Sequence, residues 1–194
     1  MKKLTTLLAL ILLINACSIL NEFIALTKCE FRLHSLQQPA VCGIDISQKN
    51  SWSDFSFMEG QVIAGKLLQK SLPFDITVNI EVRNPGTSLA ALNAIQWIAF
   101  IDDLQVAKGT LEERVEIPPS GGINKIPLRI HVDLIDYLEG DNPRAMLDFA
   151  MNLLNAGKQD SQVSMKIKPS VMIGTREVQY PDYFTLTKEF KSEN

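Results

Sequence analysis

The residues able to do chemistry in this chain are few. Histidine occurs twice, at His34 and His131, and cysteine three times, at Cys17, Cys29 and Cys42. A zinc site needs a cluster of imidazole or thiolate ligands, and no cysteine or histidine spacing here matches one, nor is there an HExxH. Each histidine falls on the polar phase of an alternating segment, which reads it as a solvent-facing strand residue. A GxSxG nucleophile elbow and a GxGxxG phosphate loop are also absent. Asp102-Asp103 is the adjacent carboxylate pair to weigh against glycosidase chemistry, but neighbouring acids where a strand turns read better as turn formers. Asp133, Asp136, Glu139 and Asp141 do not follow the twelve-residue calcium loop with its glycine and terminal glutamate, so they read as turn and helix-start acids. Trp97 shares a strand with Ile95 and Ile101 and reads as core. Trp52, in a serine-rich loop, is the aromatic placed to meet a ligand. These residues give no catalytic, cofactor-binding or metal-binding set, and the expectation is a protein that is not an enzyme and carries no cofactor.

Cys17 is different, because of what precedes it. Lys2 and Lys3 form a positive n-region, and Leu4 through Ile14 form an apolar run broken only by Thr5 and Thr6. That run is too short to span a bilayer as a helix, so it reads as a removable secretory signal. Ile14-Asn15-Ala16-Cys17 resembles a bacterial lipobox, in which the cysteine thiol receives diacylglycerol and becomes the mature N-terminus. An ordinary cleavage site would prefer a small residue where Ile14 stands. Residues 1–16 are thus expected to be a lipoprotein signal peptide, with Cys17 the lipidation site. An Asp beside such a cysteine commonly retains a lipoprotein at the inner membrane; Ser18 stands there instead, so the expected location is the outer membrane, on its periplasmic or surface face.

Removing residues 1–16 from 194 leaves 178, enough for one domain with a substantial core. The signal carries two lysines and no acid, so the mature chain has 17 basic against 22 acidic residues, a net of about −5. A mildly acidic chain lacks the electrostatic footprint of a nucleic-acid binder and the polybasic segment of an anionic-lipid binder. If lipid consumes Cys17, then Cys29 and Cys42 remain, thirteen residues apart, in a compartment where disulfides persist. A turn near Gln37-Gln38 would pair Cys42 with a residue near Leu33, out of register with Cys29. A disulfide and two buried free thiols both stay open.

The elements follow from periodicity. Residues 17–28 lack the Gly/Ser composition of a long linker and read as a short tether, with one domain over 29–194. Cys29, Phe31 and Leu33 alternate with polar residues, and Val41 to Ser47 forms a second short strand. Ser53 to Lys70 reads as a helix with Phe57, Met58, Val62, Ile63, Leu67 and Leu68 at helical spacing, capped by Ser53 or Ser56. Phe74, Ile76, Val78, Ile80 and Val82 then alternate with Asp75, Thr77, Asn79, Glu81 and Arg83 in the clearest strand of the chain. Asn84-Pro85-Gly86 ends it in a structural turn, expected to be type II with Gly86 at positive φ. Further strands are expected over Ala94–Asp102, Leu104–Gly109, Leu111–Ile117 and Ile123–Val132, with a loop at Pro118-Pro119-Ser120-Gly121-Gly122. Asn142 and Pro143 start a second helix running through Leu154, and strands return over Gln162–Ile173 and from Glu177 to about Lys191. The pattern is mainly β: an antiparallel β-sandwich with two added helices.

From Leu72 to Val132 the chain resembles the late-embryogenesis-abundant, water-stress-and-hypersensitive-response (WHy) domain. The resemblance rests on FDITVNIEVRNP, NAIQWIAFIDD, the Val106-to-Gly109 element ending Ala-Lys-Gly, VEIPPSGG and IPLRIHVDL, in that order. With CEFRL, CGIDIS and the lipobox, the whole is similar to small lipoproteins of Bacteroidetes. The resemblance implies an immunoglobulin-like sandwich, no active site and an association with desiccation or other stress. The expected function is a non-enzymatic, membrane-anchored envelope lipoprotein acting in stress protection or protein binding. Its partners would be the membrane, through the N-terminal lipid, and an envelope protein, with no nucleic acid. The competing reading is a periplasmic carrier of a lipid or other apolar ligand, which a continuous apolar cavity would favour and a filled core would oppose.

Overall fold

The computed structural model describes residues 21–49, 51–101, 104–137, 161–173 and 175–190. The signal, Cys17, Asp102-Asp103 and the helix expected from Asn142 lie outside the described residues.

The period-two segment after the first helix forms the centre of one sheet. Strand β3 (Pro73–Asn84) pairs antiparallel with β1 (Glu30–Val41) on one side and β8 (Gly122–Asp133) on the other. A short β2 (Ile44–Asp45) extends β1, giving the order β2-β1-β3-β8. Cross-strand partners share a sheet face, and here Phe74, Ile76, Val78 and Ile80 sit opposite Val132, Ile130, Leu128 and Ile126. All eight are buried, so register and hydrophobic pattern agree.

The second sheet is built on β9 (Ser161–Ile173), flanked by β5 (Ala94–Ile101) and then β6 (Leu104–Leu111). Its other edge pairs with β10 (Arg176–Gln179) and β11 (Phe184–Phe190), which continue one another along β9. Pro169 explains the break between them. Its carbonyl accepts from Tyr180 N, so the missing N–H of the same residue also faces that edge, and pairing lapses there. Trp97, Ala99, Met165 and Ile167 pack inward against the first sheet's aliphatic row. A small pair, β4 (Ala90–Leu92) with β7 (Val115–Ile117), completes the described strands, and all pairing is antiparallel. This is the expected β-sandwich.

Helix α1 (Phe57–Leu68) lies where expected, with a sharper start. Ser56 is its N-cap: the hydroxyl accepts from Glu59 N, and the Glu59 carboxylate accepts from Ser56 N at 2.7 Å, a reciprocal capping box. Ser53 belongs instead to a separate 3-10 turn, Trp52–Asp54.

Three local expectations are corrected. The chain does not turn at Gln37-Gln38; β1 runs on through Pro39, absorbing the irregularity as register shifts and a positive φ of 52° at Gln38. The reversal comes at Cys42-Gly43, both at positive φ (52° and 78°), the signature of a type I′ hairpin. Cys29 and Cys42 therefore stand at opposite ends of a 12-residue strand, about 40 Å apart along it, and are free thiols rather than a disulfide.

The turn after β3 is structural, but not by the expected device. Gly86 is not at positive φ. Asn84, fully buried, holds the turn with its side chain: Oδ1 accepts from Gly86 N at 3.0 Å, and Nδ2 donates to Ser88 O at 2.8 Å and Ile117 O at 3.1 Å. An Asx turn has replaced a glycine-dependent one. The left-handed residues are Ser120 and Gly121, in the facing loop, whose amides donate to Gly86 O and Asn84 O at 2.7 Å each.

The folded body also begins before residue 29. Residues 21–26 are helical, Ala25 and Leu26 are buried in the core, and Cys29 N donates to Leu26 O at 3.0 Å.

Candidate functional site

The interior comes first, because a carrier needs room in it. Between the sheets, at the end where β3 begins, Phe74, Val132, Phe100, Val163 and Met165 surround an apolar cavity of about 30 Å³. That is the volume of about one water molecule, an order of magnitude below what a small-molecule ligand requires. Among the described residues, buried side chains pack around it. Trp97 is one of them: it lies opposite Gly109 across the β5–β6 pair, and a Cβ on Gly109 would come 2.5 Å from the indole. The Ala-Lys-Gly element thus ends in glycine because the indole occupies the space a side chain would take.

A larger, polar groove of about 360 Å³ runs beside β7 and β8, lined in part by Glu113, Arg114, Glu116 and Lys125. Arg114 is committed within it, donating to Glu22 and to Glu116 at 3.1 Å each, and its guanidinium pKa is raised by those carboxylates, Glu22 foremost. This pair ties residues 21–26 to the sandwich, and mixed charges give the groove no single ligand chemistry.

Both histidines are on the first sheet, and each has found a carboxylate that sequence spacing did not reveal. His131 Nδ1 meets Asp75 Oδ1 at 2.7 Å, well exposed to solvent. His34 Nδ1 meets Glu81 Oε2 at 3.1 Å, while Arg32 Nε donates to Glu81 Oε1 at 2.7 Å. Glu81 is only 5% exposed, although it lies on the phase of β3 expected to face water. Arg32 supplies the opposite charge there, and His34 Nδ1 packs against the other Glu81 oxygen. Only the pairing of strands 49 residues apart brings Arg32 to Glu81. A hydrolase dyad of histidine and carboxylate needs a nucleophile on the other ring nitrogen, and no hydroxyl or thiol contact to either ring occurs among the described bonds.

Asp133 is a structural latch. Its oxygens accept from Ser71 Oγ at 2.5 Å, Leu72 N at 2.6 Å and Ile135 N at 3.2 Å. Burial pushes its pKa up, but the hydrogen bonds from Ser71, Leu72 and Ile135 outweigh it and leave the carboxyl below its ordinary value. Glu139 and Asp141 lie outside the described residues, and no group of three metal-ligating side chains occurs among the described ones. Trp52 is half-buried against Phe55, with ring centroids 5.9 Å apart, and its indole N–H is buried without a hydrogen-bond partner.

The feature that sequence reasoning missed is the orientation of α1. Its apolar residues do not turn inward as a set: only Ile63 is buried, while Phe57 is 78% and Leu68 87% exposed, with Met58 and Val62 exposed beside them. The helix's two charged side chains, Glu59 and Lys66, are both half-buried, and Lys49 binds the Glu59 carboxylate at 3.0 Å. Hydrogen bonding by Ser56 N, then by Lys49, holds the Glu59 pKa down to about 2.

The architecture defines a β-sandwich domain with a well-packed interior, an N-terminal helical segment docked through Ala25 and Leu26, and an apolar helix on its surface. No family model matches the chain, and no curated protein does. Among solved structures it is similar to a protein from Archaeoglobus fulgidus, at 14% identity over 82% of this chain and 99% of that one, TM-score 0.36. It is similar to an Arabidopsis thaliana protein at 11% identity, over 63% of this chain and 72% of the other, TM-score 0.41. A protein described as late embryogenesis abundant (LEA) also matches, at 13% identity over 98% and 87% of the two chains, TM-score 0.40. Scores of this size leave the architecture to be read from this chain's own strands.

Proposed function

We propose that this protein is a non-enzymatic envelope lipoprotein, anchored through Cys17, whose sandwich acts by contact with other envelope components under stress. The observation that carries the anchoring is the lipobox-like Ile14-Asn15-Ala16-Cys17 behind a short apolar signal. No helix among the described residues is long and apolar enough to cross a membrane. The stress association rests on the resemblance of residues 72–132 to the WHy domain. The binding role is supported by α1, which exposes Phe57, Met58, Val62 and Leu68 on one helix. The small interior cavity favours this reading over the lipid carrier. Ser18 after the cysteine places the protein at the outer membrane in this reading. The test is fractionation of cells expressing the parent or Cys17→Ser. The parent should enter the detergent phase and the outer-membrane fraction, and the variant should remain aqueous. Equal partitioning of the two would defeat the proposal.

A further inference from the structure

Exposed large apolar side chains are confined mostly to the two ends of this sandwich. Nine occur among the described residues: four are on α1, four lie at the opposite end (Ile24, Leu89, Ile123 and Met172), and the ninth is Tyr183. The register fixes which end that is. Glu30 pairs with Arg83 and Arg83 with Ile123, so the start of β1, the turn after β3 and the start of β8 lie together. The small cavity joins the other ends of β3 and β8 to the end of β5 and the start of β9. The end of β9, with Met172, therefore belongs with Ile123 and Leu89. Residues 21–26 lead into β1 at this same end, and Ile24 on them is 47% exposed, as Ile123 is 51%.

The length of chain before that helical segment limits where this end can be. Ala25 and Leu26 are buried and Glu22 is paired with Arg114, so residues 21–26 move with the sandwich. Three residues, Ser18-Ile19-Leu20, separate Cys17 from Asn21. Even fully extended they let Asn21 stand no more than about 14 Å from Cys17. A diacylglyceryl group on Cys17 would hold that cysteine at the headgroup–acyl boundary, and the headgroup layer is itself about 5–8 Å deep.

We propose that the tethered end of the sandwich rests on the bilayer, with Ile24, Leu89, Ile123 and Met172 entering the boundary between headgroups and acyl chains. The inference rests on lipidation of Cys17. The charges at this end are mixed, with Arg83 beside Glu30, Arg114 beside Glu22, and Arg176 and Glu177 opposite Ile173 and Met172, so the tether and the apolar side chains set the contact rather than attraction to anionic lipid. Twelve-residue β3 then stands α1, with its exposed Phe57, Met58, Val62 and Leu68, about 40 Å from the tethered end.

The mature lipidated protein, purified in detergent and reconstituted into phosphatidylcholine vesicles with brominated acyl chains, tests this. Ile123→Trp and Met172→Trp place a quenchable indole at the tethered end, and Gln61→Trp places one on α1; the parent supplies the background of Trp52 and Trp97. The added emission at 123 and 172 should fall roughly twofold, because an indole seated about 5–10 Å into the interface meets the bromines, while that at 61 should not change. Vesicle flotation of each variant is read in parallel. Protein that floats but shows no quenching at 123 and 172, or more at 61, overturns the contact surface and leaves the anchor standing. Protein that fails to float overturns the anchor and the contact surface together.

Discussion

Asn84→Ala should be among the most damaging single changes in this protein that removes no buried hydrocarbon. The side chain is fully buried and makes three hydrogen bonds, one accepted from Gly86 N and two donated to Ser88 O and Ile117 O. Each such bond contributes about 1 kcal/mol net, and truncation leaves its buried partners unsatisfied, so a loss of about 3 kcal/mol is expected. For a domain of this length that is about 6–12 °C in melting temperature. Asn84→Asp should do no better, since it keeps the acceptor but turns a carboxylate oxygen toward two carbonyls. Gly86→Ala is the contrasting case. Gly86 is not left-handed, so its backbone admits alanine, but a Cβ there would press on Asn84 Oδ1 at 3.1 Å and the amide must shift slightly, so the change should cost about 1 kcal/mol, less than Asn84→Ala. Thermal unfolding of a soluble form beginning at residue 18, followed by circular dichroism, measures all three. If Asn84→Ala melts within about 2 °C of the parent, or Gly86→Ala costs as much as Asn84→Ala, the Asx-turn account is wrong.

Gly109→Ala should force Trp97 from its place, costing about 1–3 kcal/mol and altering the near-ultraviolet dichroism of the indole; an unchanged spectrum would contradict the packing. The Glu59 pKa is lowered from 4.5 to about 2, so its contribution to stability is present above about pH 4.5 and lost as pH falls toward 2. Glu59→Gln should flatten that part of the melting-temperature profile, and an identical profile would remove the capping box from the account. Burial pushes the Cys29 thiol up to about 11, and Cys42 is raised by burial as well. Both should therefore resist alkylation at neutral pH in the native domain and both should react after denaturation without reductant. Thiols that appear only with reductant would restore the disulfide.

What was legible in the sequence was whatever a local pattern determines. The alternation from Phe74 to Val82 showed the strand and its inward face, because one face had to be buried. The helical spacing located α1, but left Ser53 and Ser56 as rival caps; the reciprocal bonds of Ser56 with Glu59 decide it. The chain reversal at Asn84-Pro85 was readable, but whether a side-chain amide or a glycine would hold it depended on the carbonyl of Ile117, 33 residues away. Pro39 and Gln37-Gln38 suggested a loop; pairing with β3 carried the strand through them, and only Gly43 among the local signals hinted at the true reversal. The burial of Glu81 was hidden for the same reason, since its partners Arg32 and His34 come from β1. Helical spacing in α1 established the helix but not which side meets the sandwich, because Phe57, Met58, Val62 and Leu68 are apolar whichever way they face.

Intact-mass spectrometry of the protein purified from membranes tests the central claim most directly. A chain that begins at Cys17 and exceeds its sequence mass by a diacylglyceryl group, with or without an N-terminal acyl chain, is the predicted result. A mature chain of unmodified mass, or one cleaved at another residue, would contradict the anchoring and everything built on it.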